Sequence, residues 1–321
     1  MDDSAIARIA DLRPSPPLDL GSVVDQLCTA NSTLVRHSDR VPCAEPLPSR
    51  DVVHGVVESL RSVLFPGFFG TAEIKPETLR FHLGHTLDRV ERELQLQVRR
   101  SLAFACVQRG ETEECTRECD TRARAITDRF LAQLPAIQHL LGTDVCAAYE
   151  GDPAATSPDE AIFSYPGILA VTNYRVAHAL HVLGVPVLPR VITEQAHSIT
   201  GIDIHPGAAI GESFFIDHGT GVVVGETCIL GDRVRIYQGV TLGAKSFPLD
   251  KDGNPIKGIP RHPILEDDVI VYSGATILGR VTIGKGSMIG GNVWLTRSVP
   301  PDSRILNQPP RLDSFQDGGG I

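Results

Sequence analysis

The sequence predicts an α+β protein in which a helical N-terminal domain precedes a parallel β-solenoid with a protruding loop. Before about residue 200, apolar residues recur at every third or fourth position, which is the spacing of one helix face. After residue 200, aliphatic residues recur at every sixth position instead. A strict six-residue repeat does not fit a helix and is too regular for a globular sheet. Each hexad is therefore predicted to form one short strand and a corner.

The apolar spacing predicts five helices before residue 200. The longest begins after Pro76, because proline is favoured in the first turn of a helix. Pro66 and Pro135 are expected to end two of the others, since proline cannot continue a helix. The predicted helices cover residues 23–34, 52–63, 79–98, 122–134 and 167–183.

The six-residue repeat predicts a solenoid of triangular cross-section. Three hexads close one coil, and the aliphatic marker of each hexad points inward, where it stacks on the next coil about 4.8 Å away. Roughly four coils are expected, because each coil is stable only against its neighbours. The polar stretch 243–264 is expected to leave the solenoid as a projecting loop. The marker positions are Ile204, Ile210, Ile216, Val224, Leu230, Ile236, Leu242, Leu265, Val271, Ile277, Ile283, Ile289 and Leu295.

These patterns divide the chain into four parts. Residues 1–50 contain several prolines and little periodicity, so they are expected to form a poorly ordered extension. A helical domain is expected over residues 51–200, the solenoid over 201–304 and a flexible tail over 305–321.

The composition is that of an ordinary globular chain, with 42% hydrophobic and 21% charged residues among 321. The net charge of −9 disfavours nucleic-acid binding, which needs a basic surface. No apolar run is long enough to cross a membrane, and the acidic N-terminus does not resemble an export signal. Seven scattered cysteines are typical of reduced thiols, so a cytoplasmic location is expected.

Short polar motifs in the second half carry the strongest functional signal. Asp-Ile-His-Pro at 203–206, Asp-His-Gly-Thr-Gly at 217–221 and Arg-His-Pro at 261–263 follow an Asp-Pro-Ala segment at 152–154. Together with the hexads, these motifs resemble the serine O-acetyltransferases of the hexapeptide-repeat acyltransferase family. The resemblance covers about residues 145–300. It implies a left-handed parallel β-helix that transfers the acetyl group of acetyl-CoA to L-serine, the first step of cysteine biosynthesis.

The resemblance implies a catalytic base at His218 and a supporting carboxylate at Asp203. Imidazole suits the removal of a hydroxyl proton, because its ordinary pKa of about 6.5 is close to working pH. A carboxylate on the other ring nitrogen would stabilise the imidazolium. The two residues are 15 positions apart, so they are expected on neighbouring coils.

Serine carries an ammonium and a carboxylate, so its site needs charges of both signs. The resemblance implies that Arg261 binds the carboxylate as a bidentate partner. His262 is expected to add a donor or to stabilise the developing oxyanion. Asp152 and Asp217 are the expected partners of the ammonium.

Acetyl-CoA is the expected co-substrate, and its arm is expected to lie along a corner of the solenoid. Small residues are needed there because the backbone must approach the ligand closely. The motif positions imply contacts at Gly243, Ala244, Ser273 and Gly291. Transfer is expected to be direct, without an acyl-enzyme, and no metal is implied.

The resemblance also implies partners. Solenoids of this family pack around a threefold axis with sites between neighbouring chains, so a trimer or a dimer of trimers is expected. L-Cysteine is expected to inhibit by occupying the serine site. The C-terminal Ile321 follows three glycines and is expected to dock in the active site of O-acetylserine sulfhydrylase.

Three other interpretations stay open at this point. An acetyltransferase of this fold could act on another small hydroxyl or amine, such as homoserine or an amino sugar. A zinc-dependent carbonic anhydrase on the same solenoid would need three converging imidazoles, for which His205, His218 and His262 are available. A non-catalytic scaffold would use the flat solenoid faces for assembly, but the acidic, histidine and arginine residues near one corner argue against it.

Overall fold

The computed structural model describes residues 19–36, 46–70, 74–110 and 113–308. Within these ranges, eight helices precede fourteen short strands. None of the described helices combines the length and the apolar character that a membrane crossing requires. Most of the tail expected at 305–321, and much of the extension expected at 1–50, lie outside the described residues.

The helices occupy the first part of the described chain and end where the solenoid begins. In chain order they are α1 (Leu20–Arg36), α2 (Arg50–Leu64), α3 (Pro76–Gln108), α4 (Glu113–Leu131), α5 (Leu134–Gly151), α6 (Pro158–Ser164), α7 (Pro166–Val182) and α8 (Leu188–Thr200). The helices predicted over 23–34, 52–63, 79–98 and 167–183 are confirmed as α1, α2, α3 and α7. Apolar spacing did not predict α5, α6 or α8.

The predicted bounds of the helix over 122–134 are wrong. α4 ends at Leu131, and Pro135 lies in the first turn of α5. Proline is favoured there because the first residues of a helix have no intrahelical partner for their N–H groups. The proline therefore begins one helix rather than ending the one before it.

The strands form three parallel sheets around one apolar core. The chain passes from sheet 1 to sheet 2 to sheet 3, and each strand pairs with a strand of the next coil. Sheet 1 contains β1 (Asp203–Ile204), β4 (Val223–Val224), β7 (Thr241–Gly243), β10 (Thr276–Leu278) and β13 (Trp294–Leu295). Sheet 2 contains β2 (Ala209–Ile210), β5 (Ile229–Leu230), β8 (Ile264–Leu265) and β11 (Thr282–Ile283). Sheet 3 contains β3 (Phe215–Asp217), β6 (Arg235–Tyr237), β9 (Ile270–Val271), β12 (Met288–Ile289) and β14 (Arg304–Ile305).

Twelve of the thirteen predicted markers are buried in the core, and Ile210 is partly buried against it. Ile236, Leu242 and Ile277 are fully buried, and each pairs in register with a marker of an adjacent coil. Sheets 1 and 3 each contain five strands, so the solenoid has about five turns rather than four. The six-residue repeat did not predict the last turn, because its strand at Ile305 comes ten residues after Leu295.

A buried ion pair fastens the helices to the solenoid. Arg175 of α7 forms a bidentate pair with Asp144 of α5, with N···O distances of 2.6 and 2.7 Å. The same carboxylate accepts the backbone N–H of Phe214, and the same guanidinium donates to the carbonyl of Gly211. Both side chains are almost fully buried, so these bonds join two helices to the first coil with little competition from water.

The first turn of α7 lies directly on β3. A Cβ at Gly167 would stand 2.5 Å from the carbonyl oxygen of Ile216, so only glycine allows this approach. Further along α7, the hydroxyl of Tyr174 donates to the carbonyl of Ala208 at 2.6 Å. The Gly167 contact fixes the start of α7 beside the corner where sheet 3 turns into sheet 1, and the Tyr174 bond holds the middle of the helix.

Replacement of the buried acid tests this junction. Asp144→Asn is expected to lower the free energy of unfolding by about 3 kcal/mol, because the Arg175 charge would stay buried without its anion. Chemical denaturation measures the change. Asp88→Asn is the control, since Asp88 pairs with Arg92 at the surface and such pairs contribute less than about 1 kcal/mol. Equal stability of the two variants would contradict the anchoring role of Asp144.

Candidate active site

The polar residues of interest collect at two edges of the solenoid. The His218 corner lies where the chain turns from sheet 3 into sheet 1 and contains Asp152, Tyr165, Asp217 and His218. The Arg261 corner lies where the chain turns from sheet 1 into sheet 2 and contains Glu226, Thr227, Arg261 and His262. The projecting loop leaves the solenoid between β7 and β8, as predicted, and delivers Arg261 and His262 to the second corner.

His218 stands in a tight turn directly after β3. Its φ is +57°, and that of Gly219 is +92°, so both lie in the left-handed region. Glycine is needed at 219, because a Cβ there would also stand 2.5 Å from Cδ1 of Ile202. Ser213, Arg233 and Asn292 have almost the same φ in other turns between strands, so this conformation belongs to the turns of the solenoid. The turn leaves 73% of the His218 side chain exposed, with Nε2 3.8 Å from Oδ1 of Asp217.

Asp152 follows the end of α5, and two donors hold its carboxylate. The hydroxyl of Tyr165 donates to Oδ2 at 2.5 Å, and the backbone N–H of Ala154 donates to Oδ1 at 2.8 Å. The Tyr165 hydrogen bond is the main cause that lowers the pKa of Asp152, and Ala154 and the nearby His218 act in the same direction. Asp152 is therefore a carboxylate at neutral pH.

Asp203 lies on sheet 1 within the same coil as His218. The expectation of neighbouring coils is wrong, because Asp203 pairs with Val223 and the first coil thus takes up 20 residues. Among the described interactions, no hydrogen bond or ion pair joins Asp203 to His218. Asp203 instead lies beside Glu194 and His197, with the possible ligand atoms of all three within 4.8 Å of one another.

Two neighbours in the turn after β4 hold Arg261. Its Nη2 donates to Oε2 of Glu226 at 2.6 Å, and its Nη1 donates to the carbonyl of Ile259. The hydroxyl oxygen of Thr227 accepts the backbone N–H groups of Arg261 and His262 at 2.9 and 3.2 Å. Glu226 and Thr227 therefore fix the point at which the projecting loop re-enters the solenoid.

His262 is buried against the same turn. Its Nδ1 accepts the backbone N–H of Thr227 at 3.0 Å, and its ring lies on Gly225, where a Cβ would stand 2.1 Å from the ring carbon Cδ2. Burial is the main cause that lowers the pKa of His262 to about 4, and the charge of Arg261 adds to the effect. Because Nδ1 is an acceptor, the neutral ring carries its proton on Nε2, which can act as a donor.

The four residues expected to contact acetyl-CoA divide between the same two edges. Gly243 ends β7 of sheet 1 and Ala244 follows it, on the side of the Arg261 corner, whereas Ser273 and Gly291 follow strands of sheet 3, on the side of the His218 corner. A Cβ would stand 3.0 Å from the Leu278 side chain at Gly243 and 3.2 Å from the Ser273 carbonyl at Gly291. Packing between coils thus accounts for both glycines without a ligand.

The structure brings the predicted site residues together in two groups rather than one. Asp152, Asp217 and His218 share one corner, and Arg261 and His262 share the other. One side of the triangular coil separates the corners, and the extended residues 222–225 that form it between two turns span roughly 13 Å. A serine molecule is much shorter, so it cannot contact both corners of the same chain.

The histidines that a zinc site would use do not converge within the described chain. Of the described residues, only Glu194, His197 and Asp203 place three possible metal ligands within 4.8 Å of one another. His218 and His262 lie at different corners of the solenoid.

Similarity to known proteins extends over almost the whole chain. The bacterial transferase hexapeptide (six repeats) family model matches residues 262–297. A plasmid serine acetyltransferase of Synechococcus elongatus is 54% identical over 302 residues, which are 94% of this chain and 95% of that protein. The chain belongs to the serine acetyltransferase family.

Solved serine acetyltransferases have the same architecture. Isoform 3 of Entamoeba histolytica, in complex with cysteine, is 31% identical with a TM-score of 0.68 and matches 93% of this chain and 97% of its own. The Neisseria gonorrhoeae serine acetyltransferase, in complex with serine, is 26% identical with a TM-score of 0.51 and matches 82% and 97%. The predicted left-handed hexapeptide-repeat fold and the predicted acyltransferase class are therefore confirmed.

Three polar residues of this serine acetyltransferase family member received no role from sequence reasoning. Glu226 and Thr227 stand just after the Asp-His-Gly-Thr-Gly motif, and that position was the signal that could have revealed them. Tyr165 offers no comparable signal, because 13 residues separate it from Asp152. Only the fold of α6 and α7 brings its hydroxyl to that carboxylate.

Gly225→Ala tests whether activity depends on the packing of the His262 ring against Gly225. The added Cβ would overlap the imidazole ring, so kcat/KM for serine acetylation is expected to fall by about 100-fold. The rate of thiol release from acetyl-CoA in the presence of L-serine measures the loss. Gly84→Ala is the matched control, because a Cβ at that helical position meets no atom within 4 Å. A Gly225→Ala enzyme as active as Gly84→Ala would show that the position of the His262 ring does not matter.

Proposed function

We propose that this chain transfers the acetyl group of acetyl-CoA to the hydroxyl of L-serine, which supplies O-acetyl-L-serine for cysteine biosynthesis. The observation that carries the proposal is the His218 corner, where an exposed imidazole stands beside the carboxylates of Asp152 and Asp217. This corner offers a proton acceptor together with two partners for a substrate ammonium. Family membership over 94% of the chain supports the same reaction.

His218 would act as the general base. Its ring nitrogen takes the proton of the serine hydroxyl while the oxygen attacks the thioester carbonyl carbon. The tetrahedral intermediate then expels the CoA thiolate, which receives the proton from the imidazolium. Oδ1 of Asp217 lies 3.8 Å from Nε2 of this ring. Asp203, to which the resemblance assigns support of the imidazolium, would act from sheet 1.

Charges of both signs would hold the serine. Asp152 and Asp217 bind its ammonium, and Arg261 binds its carboxylate. Glu226 occupies only part of the Arg261 guanidinium, which has five N–H donors in a planar fork. His262 is neutral at working pH because its pKa is lowered to about 4, so its Nε2–H can donate to the developing oxyanion.

Neighbouring chains would complete each site. One serine cannot reach both corners of a single solenoid, because a side of the coil separates them. In a trimer, the His218 corner of one chain can face the Arg261 corner of the next around a closed ring. The proposal therefore includes a homotrimer, or a dimer of trimers, with three equivalent sites per ring.

Acetyl-CoA would bind in the groove between neighbouring solenoids. Gly243 and Ala244 of one chain and Ser273 and Gly291 of another lie along the two edges that would form this groove. All four residues are half-buried at these edges. The acetyl group would thus arrive beside His218, and transfer would not need an acyl-enzyme.

L-Cysteine would inhibit by binding in place of serine. It carries the same ammonium and carboxylate, so Asp152, Asp217 and Arg261 would hold it in the same way. The E. histolytica relative was solved in complex with cysteine, which supports this proposal. Docking of Ile321 in O-acetylserine sulfhydrylase concerns a residue outside the described ranges, and it stays a prediction together with the cytoplasmic location.

His218→Ala is expected to lower kcat by at least about 100-fold, because a carboxylate is a much weaker base than the imidazole that is lost. Thiol release from acetyl-CoA with L-serine measures the rate, and light scattering reports assembly. His139→Ala is the matched control, since His139 is an exposed histidine of α5 outside both corners. Near-normal turnover by His218→Ala would defeat the assignment of the base.

A further inference from the structure

Tyr165 is a polar residue of the His218 corner to which the sequence motifs gave no role. Its hydroxyl donates to Oδ2 of Asp152 at 2.5 Å, which is short for a hydrogen bond and typical of a charged acceptor. The backbone N–H of Ala154 occupies the other oxygen of the same carboxylate. Each carboxylate oxygen keeps a free lone pair, so Asp152 can still accept a substrate ammonium.

The backbone of Tyr165 is held on both sides. Tyr165 is the single residue between α6 and α7, and its N–H donates to the carbonyl of Ala161 while its own carbonyl accepts the N–H of Ile168. Two residues later, Gly167 lies in close contact with Ile216 of β3. The backbone that carries the phenol ring is therefore fixed relative to the solenoid.

Asp152, in contrast, lies in the segment between α5 and α6 and is partly exposed. Without Tyr165, its side chain would be held only by the N–H of Ala154 within its own turn. The tyrosine hydroxyl is thus the contact that ties this carboxylate to the element packed on β3. β3 in turn leads directly into Asp217 and His218.

The charges of the corner agree with this arrangement. The Asp152 hydrogen bond is the main cause that raises the pKa of Tyr165 to about 12, and the Asp217 charge adds a small effect. The phenol therefore keeps its proton throughout the working range and remains a donor. Asp217 and His218 both lie close enough to this pair to influence its ionisation.

We propose that Tyr165 is a positioning residue that fixes the Asp152 carboxylate toward the substrate ammonium and so sets the preference for an amino acid. The proposal rests on the serine acetyltransferase function proposed above. Tyr165 would not touch the reacting atoms. Removal of its hydroxyl should weaken the binding of the substrate ammonium and leave the proton transfer at His218 almost unchanged.

Tyr165→Phe tests this directly, because it removes only the hydroxyl. KM for L-serine is expected to rise about tenfold, the effect of one hydrogen bond to a charged group. KM for acetyl-CoA should stay within about twofold and kcat within about threefold, because the substitution alters neither the acetyl-CoA site nor the catalytic base. Initial rates at saturating acetyl-CoA and varied L-serine give these constants.

A second substrate separates positioning from a general structural effect. 3-Hydroxypropionate has the hydroxyl and carboxylate of serine but no ammonium, so Asp152 cannot assist it. The kcat/KM for 3-hydroxypropionate should therefore be the same in wild type and Tyr165→Phe, and the preference for serine should fall about tenfold. In an Asp152→Asn background, Tyr165→Phe should have no further effect.

Two other tyrosines provide controls. Tyr149→Phe alters an exposed tyrosine of α5, and Tyr174→Phe removes a buried hydrogen bond to Ala208 that supports the fold. Neither should change KM for serine or the preference over 3-hydroxypropionate. If the wild type is active and Tyr165→Phe has unchanged kinetic constants, the role of Tyr165 alone is overturned. The same holds if Tyr165→Phe loses kcat/KM equally for serine and for 3-hydroxypropionate. An inactive wild type would overturn the proposed function itself.

Discussion

The buried ion pair between Asp144 and Arg175 is the interaction on which the candidate site depends. It joins α5 and α7 to the first coil through a bidentate contact and two backbone bonds that are shielded from water. Asp152 follows α5, and Tyr165 precedes α7. Two helices held in this way bring a carboxylate and a phenol from the helical domain to a histidine on the solenoid. The helical domain therefore contributes to the site as well as covering the solenoid.

The triangular coil imposes the second constraint. The chain turns from one sheet to the next at its edges, and the polar residues of the candidate site lie at two of these edges. One edge holds an exposed imidazole with two carboxylates, and the next holds an arginine with a buried, neutral histidine. A side of the coil is too long for one amino acid to bridge. The His218 corner and the Arg261 corner lie at opposite edges of sheet 1 and carry complementary groups. This is the arrangement expected of a site that a neighbouring copy of the chain completes.

The sequence predicts the solenoid well because one inward aliphatic residue must recur in every hexad, whatever surrounds it. It predicts the helix positions less well, as Pro135 shows, since proline both ends helices and begins them. The motifs place His218, Arg261 and His262 at turns, yet linear spacing misjudged the coil that carries Asp203. Tyr165 could not be found in this way, because its contact with Asp152 depends on the packing of α7 against β3.

Mixing two inactive variants tests the shared site most directly. His218→Ala and Arg261→Ala chains, each inactive alone, would be unfolded, combined in equal amounts and refolded together. If each site takes His218 from one chain and Arg261 from the next, about a quarter of the interfaces in a random trimer contain both intact residues, and activity should return to that level. A mixture as inactive as its components, despite confirmed mixed assembly, would contradict the account.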